Sequence, residues 1–170
     1  NNPWELYQIM DRDALLQPPF FVYGTLIPGQ PNDHLWAGGI KSIETAVYSN
    51  GKLFDMGYYP MLVEEGGGIV RGKLITVADR YYRKILTRLD RLEGYLPDKP
   101  NESSFRRVQR KVLTESGEEI LSWIYIGFER RAKRRRVIPD GDWVEYAAKT
   151  ALDLDNWWDT VESVLGLHDS

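Results

Sequence analysis

The stretch DRYYRKILTRLDRLEGY, Asp79 to Tyr95, decides how the chain is read. Tyr82, Ile85, Leu86, Leu89 and Leu92 recur at the spacing of one apolar stripe on an amphipathic helix. Asp79 is placed to cap that helix, which runs from roughly Arg80 to Leu92, and Gly94 stops it. On either side the apolar residues alternate instead. Phe20 to Gly24, Ile43 to Val47, Gly51 to Asp55, Pro60 to Val63 and Ile69 to Val77 precede the helix as strands. Ser49-Asn50-Gly51 reads as a hairpin turn between the second and third of these. After a loop from Leu96 to Ser103, Phe105 to Thr114 and Ile120 to Gly127 form a hairpin around Ser116-Gly117. One long helix set among many short strands predicts an α+β fold, a small mixed, mostly antiparallel barrel-like sheet with flanking helices.

Outside that centre, residues 1–19 read as an N-terminal arm or helix, with Leu6, Ile9 and Met10 on its buried side. Gln17-Pro18-Pro19 separates it from the first strand. Trp143 to Thr150 and Asp155 to Leu165 read as helical, and residues 151–170 as a C-terminal helix packed on the domain of residues 20–150. Trp157 and Trp158 are expected to anchor that helix to the core.

Composition narrows the chemistry. The chain has 170 residues, enough for one domain with a real core. A net charge of −3 gives no bulk attraction to nucleic acid or to an anionic membrane. No apolar run is long enough to span a bilayer. The absence of cysteine removes disulfides, a thiolate nucleophile and thiolate metal sites, and fits a reducing, cytoplasmic setting. Only two histidines, His34 and His168, leave little for a catalytic triad or a multi-histidine metal site. The run Arg130 to Arg136, six basic residues in seven, reads as a solvated loop rather than a nucleic-acid site, since it lacks interleaved aromatics. Arg106, Arg107, Arg110 and Lys111 are placed to balance Glu118 and Glu119 across the second hairpin.

Two places draw attention as candidate chemistry. Glu93 lies four residues after Leu89 and so falls on the buried stripe, near the negative end of the helix. Burial and the helix end both raise a carboxyl pKa toward the range a general acid/base needs. The alternative is that Glu93 frays outward or pairs with an arginine; spacing leaves both open. Asp90, by contrast, groups with Arg83 and Thr87 toward solvent. The second place is Tyr23-Gly24-Thr25-Leu26, where the first strand stops. Gly24 permits close backbone approach, either to neighbouring protein or to a ligand held by the amides of Gly24, Thr25 and Leu26.

Four segments in order carry a resemblance. They are Tyr23-Gly24-Thr25-Leu26, then Gly51-Lys52-Leu53-Phe54-Asp55 with Tyr59-Pro60, then Leu89-Asp90-Arg91-Leu92-Glu93-Gly94-Tyr95, then Trp123-Ile124-Tyr125. Together they resemble the gamma-glutamylcyclotransferase-like family, which includes avirulence-induced-gene-like proteins, from about Phe20 to Tyr146. The resemblance implies release of 5-oxoproline from a small gamma-glutamyl compound, with no metal and no cofactor. It implies that Glu93 is the catalytic acid/base. It also implies that the amides around Tyr23 to Leu26 hold the glutamyl α-carboxylate and that Tyr125 lines the pocket. A non-catalytic module binding a small metabolite in the same pocket is the competing reading. A homodimer is compatible with the sequence.

Overall fold

The computed structural model describes residues 16–165. The expected arm falls on residues 1–19, so nearly all of it lies outside the described residues. Seven strands follow in chain order: β1 (Phe20–Val22), β2 (Ile40–Tyr48), β3 (Lys52–Asp55), β4 (Pro60–Val63), β5 (Val70–Val77), β6 (Arg106–Thr114) and β7 (Glu119–Ile126). The α-helices among the described residues are α1 (Asp79–Leu92) and α2 (Trp143–Leu165). Five strands close into a barrel in the order β1-β5-β2-β6-β7, while β3 and β4 pair separately. Every pairing is antiparallel except the one that closes the barrel, β1 alongside β7.

Strand alternation explains how the core divides. Phe21, Ala46, Tyr48, Val70, Leu74, Val112 and Ile124 come from all five barrel strands and pack together, so they fill the interior. The intervening residues Phe20, Val22, Ile75 and Val77 face the other way and pack under Tyr82, Ile85 and Leu89 of α1. Both faces of β1 are therefore covered, which is why Phe20-Phe21-Val22 is an unbroken apolar run. The helix stripe is narrower than its spacing suggests. Tyr82, Ile85 and Leu89 are buried, whereas Leu92 is 42% exposed.

Three local expectations change. Ser49-Asn50-Gly51 turns the chain, but β2 and β3 are not a hairpin: β2 pairs with β5 and β6, and β3 pairs with β4. β2 gains more from two barrel neighbours than a turn propensity can offset. Asp79 is the first helical residue rather than the cap; Ala78, in extended conformation, holds the cap position. Asp79 still places a carboxylate in the positive first turn. The two C-terminal helical segments are one continuous helix of 23 residues. Its start anchors it through buried Trp143, with Tyr146 and Ala147 beside it. Trp157 and Trp158 do not anchor it: they are 58% and 52% exposed and stack loosely on each other.

Barrel closure depends on close contact between β1 and β5. A Cβ at Gly72 of β5 would lie 2.3 Å from the Val22 carbonyl oxygen and 2.9 Å from the Phe21 ring. That space is already filled by backbone, so the chain must shift to admit a methyl group. Gly72→Ala is expected to lower stability by about 1–3 kcal/mol. A chemical denaturation midpoint equal to that of the wild type would show that the contact is not limiting.

Candidate active site

β1 ends against the C-terminal turn of α1, and a cavity of about 530 Å³ opens there. It is walled by the chain leaving β1, by the loop before β4, by the end of α1 and by β7. All six residues singled out in the sequence, Tyr23, Gly24, Thr25, Leu26, Glu93 and Tyr125, line this one cavity. They span about a hundred positions of sequence and converge because β1 and β7 are neighbours and α1 lies across them.

The helix end is built to present Glu93. The amide of Gly94 bonds the Arg91 carbonyl and the amide of Tyr95 bonds the Asp90 carbonyl. Gly94 takes a left-handed conformation, φ 62°. This pair of reversed bonds is the Schellman arrangement, and it fixes Glu93 as the C-cap of the helix instead of letting it fray. No ion pair or side-chain hydrogen bond engages the Glu93 carboxyl among the described residues. Withdrawal from water pushes its pKa up to about 7. Of the two sequence readings, pairing with an arginine is thus excluded within the described residues.

Across the cavity the chain leaves β1 through a tight turn. The Ile27 amide bonds the Gly24 carbonyl, and the Asn32 amide bonds the Thr25 carbonyl. The carbonyls are used, but no hydrogen bond engages the amides of Gly24, Thr25 and Leu26 among the described residues. Asn32 also donates from its side chain to the Thr25 hydroxyl, holding the turn in shape. Gly24 itself is required by protein: a Cβ there would lie 2.5 Å from Pro60 Cγ. Close packing and free amides are therefore both present at the point where β1 stops.

Two tyrosines form the wall between these parts. The Tyr23 hydroxyl donates to the Tyr125 carbonyl at 2.6 Å. Burial, and then the nearby Glu93 charge, holds its pKa well above the usual tyrosine value. The Tyr125 hydroxyl donates to Asp90 at 2.7 Å. Burial and then Asp90 hold it protonated, far above the usual range. Asp90 is consequently not a solvent-side residue. It also receives a forked pair of bonds from Arg107, at 2.8 and 3.3 Å. Arg107 stacks over Trp123 and Tyr95. Nor do the hairpin arginines balance Glu118 and Glu119: Arg107 pairs with Asp90 and Arg110 with Glu64. Cross-strand register places Tyr125 opposite Arg107 and Ser122 opposite Arg110, so the acids at the far turn are out of reach.

Arg131, Tyr59, Ser104 and Phe105 also line the cavity, and the sequence reading assigned none of them to the site. Arg131 belongs to the basic run read as solvated, and nothing in its composition distinguishes it from its neighbours.

Comparison with known proteins gives the lineage. The family described as "Gamma-glutamyl cyclotransferase, AIG2-like" matches residues 20–145. The chain belongs to this family. Its fold is shared with solved structures of low sequence identity. YkqA from Bacillus subtilis is 24% identical with a TM-score of 0.58, covering 78% of this chain and 42% of its own. This chain therefore spans well under two thirds of YkqA. A protein from Arabidopsis thaliana is 20% identical with a TM-score of 0.54, covering 86% of this chain and 81% of its own. An uncharacterized protein from Pyrococcus horikoshii is 19% identical with a TM-score of 0.51, covering 78% and 95%. A search of curated proteins returned no match. In this AIG2-like chain the family match takes in β1, α1 and β7, the three elements that meet at the cavity.

The raised Glu93 pKa has a signed consequence for stability. The folded protein holds this proton up to about pH 7, whereas an ordinary carboxyl releases it near 4.5. Stability falls as pH rises between those values, because the folded state then binds more protons than the unfolded one. Glu93→Gln removes the effect. The variant is expected to match the wild type at pH 4 and to exceed it by on the order of 1–3 kcal/mol at pH 8. Thermal melts across that range test this; a constant difference at all pH values would contradict the shift.

Proposed function

We propose that the protein is a gamma-glutamylcyclotransferase-like enzyme that cleaves a gamma-glutamyl amide by intramolecular aminolysis, releasing 5-oxoproline and a free amine. The observation that carries the reading is Glu93: a partnerless carboxyl with a pKa of about 7, inside a cavity that also presents free main-chain amides. A site built only to hold an anion gains nothing from a carboxyl group there.

The chemistry needs no protein nucleophile. The substrate's α-amine attacks its own γ-carbonyl carbon, a carbon–nitrogen bond closes the five-membered ring, and the original amide bond breaks. Two protons leave the α-ammonium nitrogen and two arrive on the departing nitrogen, so none is consumed overall. Glu93 carries them. As a carboxylate it takes a proton from the α-nitrogen; as the acid it gives one to the leaving amine. A pKa near the working pH suits a group that performs both steps. The amides of Gly24, Thr25 and Leu26 receive the glutamyl α-carboxylate. They are fixed by the turn and need no side-chain ordering. Tyr23 and Tyr125 stay protonated and shape the wall. They hold the extended glutamyl chain bent toward ring closure, an orientation effect.

The test is 5-oxoproline release from a panel of gamma-glutamyl amino acids, gamma-glutamyl-lysine and glutathione. Glu93→Gln is expected to reduce turnover by about 10²–10⁴-fold while still binding substrate. Wild-type kcat/KM should rise with pH through about 7, as Glu93 becomes a base. Undiminished turnover by Glu93→Gln would remove this glutamate from the mechanism.

A further inference from the structure

The barrel uses only the root of α2. Trp143 is buried there, with Tyr146 and Ala147 beside it. Beyond Ala147, every described side chain as far as Thr160 is exposed. The apolar spacing does not stop where the barrel does. Ala147, Ala151, Leu154, Trp158 and Val161 recur at alternating steps of four and three residues, one continuous stripe. Leu154 is 62% exposed, and Trp157 and Trp158 are more than half exposed. Large apolar side chains gathered on one stretch of surface mark a contact. The charges along this tip are acids alone: Asp153, Asp155, Asp159 and Glu162, with no lysine or arginine after Lys149.

The complementary surface lies at the root. Arg130 and the run Lys133 to Arg136 are exposed, and no ion pair to a carboxylate engages them among the described residues. Val137 and Val144, on either side of the entry to α2, are also exposed. The basic loop is held against the start of the helix. The Arg136 carbonyl accepts from the Asp55 amide, and the Asp55 carboxylate accepts from the Tyr146 hydroxyl of α2. Arg131, in the same run, lines the cavity and has no part in this surface. One chain cannot join its own two surfaces, because Trp158 lies about 22 Å along the helix axis from Trp143.

We infer that α2 docks on a second copy of this chain, tip to root. The tip of each helix, with Leu154 and Trp158 at its centre, lies on the basic loop and on Val137 and Val144 of the other copy. A two-fold axis forms both contacts at once, so the assembly closes as a dimer instead of propagating. The apolar stripe supplies the buried centre, and the opposite charges supply orientation and exclude a shifted register. α2 lies almost wholly outside residues 20–145, so the family match does not carry this contact.

Sedimentation velocity of the full chain reads the assembly directly. A monomer–dimer equilibrium with a Kd of about 1–100 μM is expected. It should weaken about 10-fold between roughly 0.05 and 0.5 M NaCl, as the charges are screened. Trp158→Ala should weaken it about 10-fold or more. Two charge-reversed variants decide the geometry. Asp153→Lys, Asp155→Lys and Asp159→Lys together reverse the tip; Lys133→Glu, Arg134→Glu and Arg135→Glu together reverse the root. Each variant alone is expected to be monomeric, because like charges then meet in both contacts. An equal mixture of the two should dimerise, because both contacts again join opposite charges. A wild-type chain that stays monomeric at about 100 μM in low salt overturns the proposal. The stripe then belongs to another occupant, residues 1–15 of the same chain or a different protein. Wild-type dimerisation by either charge-reversed variant alone, or none in their mixture, overturns it as well.

Discussion

The structure turns on the rotational setting of α1. Leu89 is fully buried against the outer face of the barrel, and Glu93 follows it by one turn. As long as Leu89 is held there, the carboxyl one turn later points along the same face, past the end of β1 and into the cavity. Burial of Tyr82 and Ile85 adds two more points of attachment along the helix, and these keep it from rolling. The pKa of Glu93 is thus a property of packing. The apolar contacts that stabilise the domain also withdraw this group from water.

A second layer holds the wall opposite. Tyr82 donates to the Pro18 carbonyl and accepts from the Trp123 indole, tying α1 to the entry of β1 and to β7. Arg107, stacked on Trp123, neutralises Asp90, and Asp90 fixes the Tyr125 hydroxyl. Buried polar groups of this kind are costly unless every member finds a partner. Here Tyr82, Trp123, Arg107, Asp90 and Tyr125 all do. The result is a stiff side of the cavity facing the unpaired carboxyl of Glu93.

Much of this was legible in the chain because it is periodic or local. The stripe in α1, the stop at Gly94 and the strand alternation in β5, β6 and β7 follow from spacing and from residue type. Glu93 was found because it breaks a pattern, a carboxyl group on an apolar face. Asp90 was misplaced for the same reason. Its position on the helix wheel points away from the core center, and only β6 and β7 folding alongside bring Arg107 and Tyr125 to it. The β2–β3 turn misled because a turn fixes direction, whereas strand pairing is settled by distant partners. Arg131 was hidden because five similar residues surround or adjoin the one that is captured by Ser104 and Tyr59. Contacts between residues far apart in sequence leave no local trace.

The turn after β1 has a consequence for how such a site persists through divergence. What it leaves unbonded among the described residues is peptide N–H groups, and every residue type except proline supplies the same N–H. Its information therefore resides in the path of the backbone, kept by Gly24 against Pro60 and by Asn32 against Thr25. Side chains along that path are free to drift as long as the path is kept. Sequence can then change along this turn while its shape is kept, because the constraint falls on the two contacts and not on the intervening side chains.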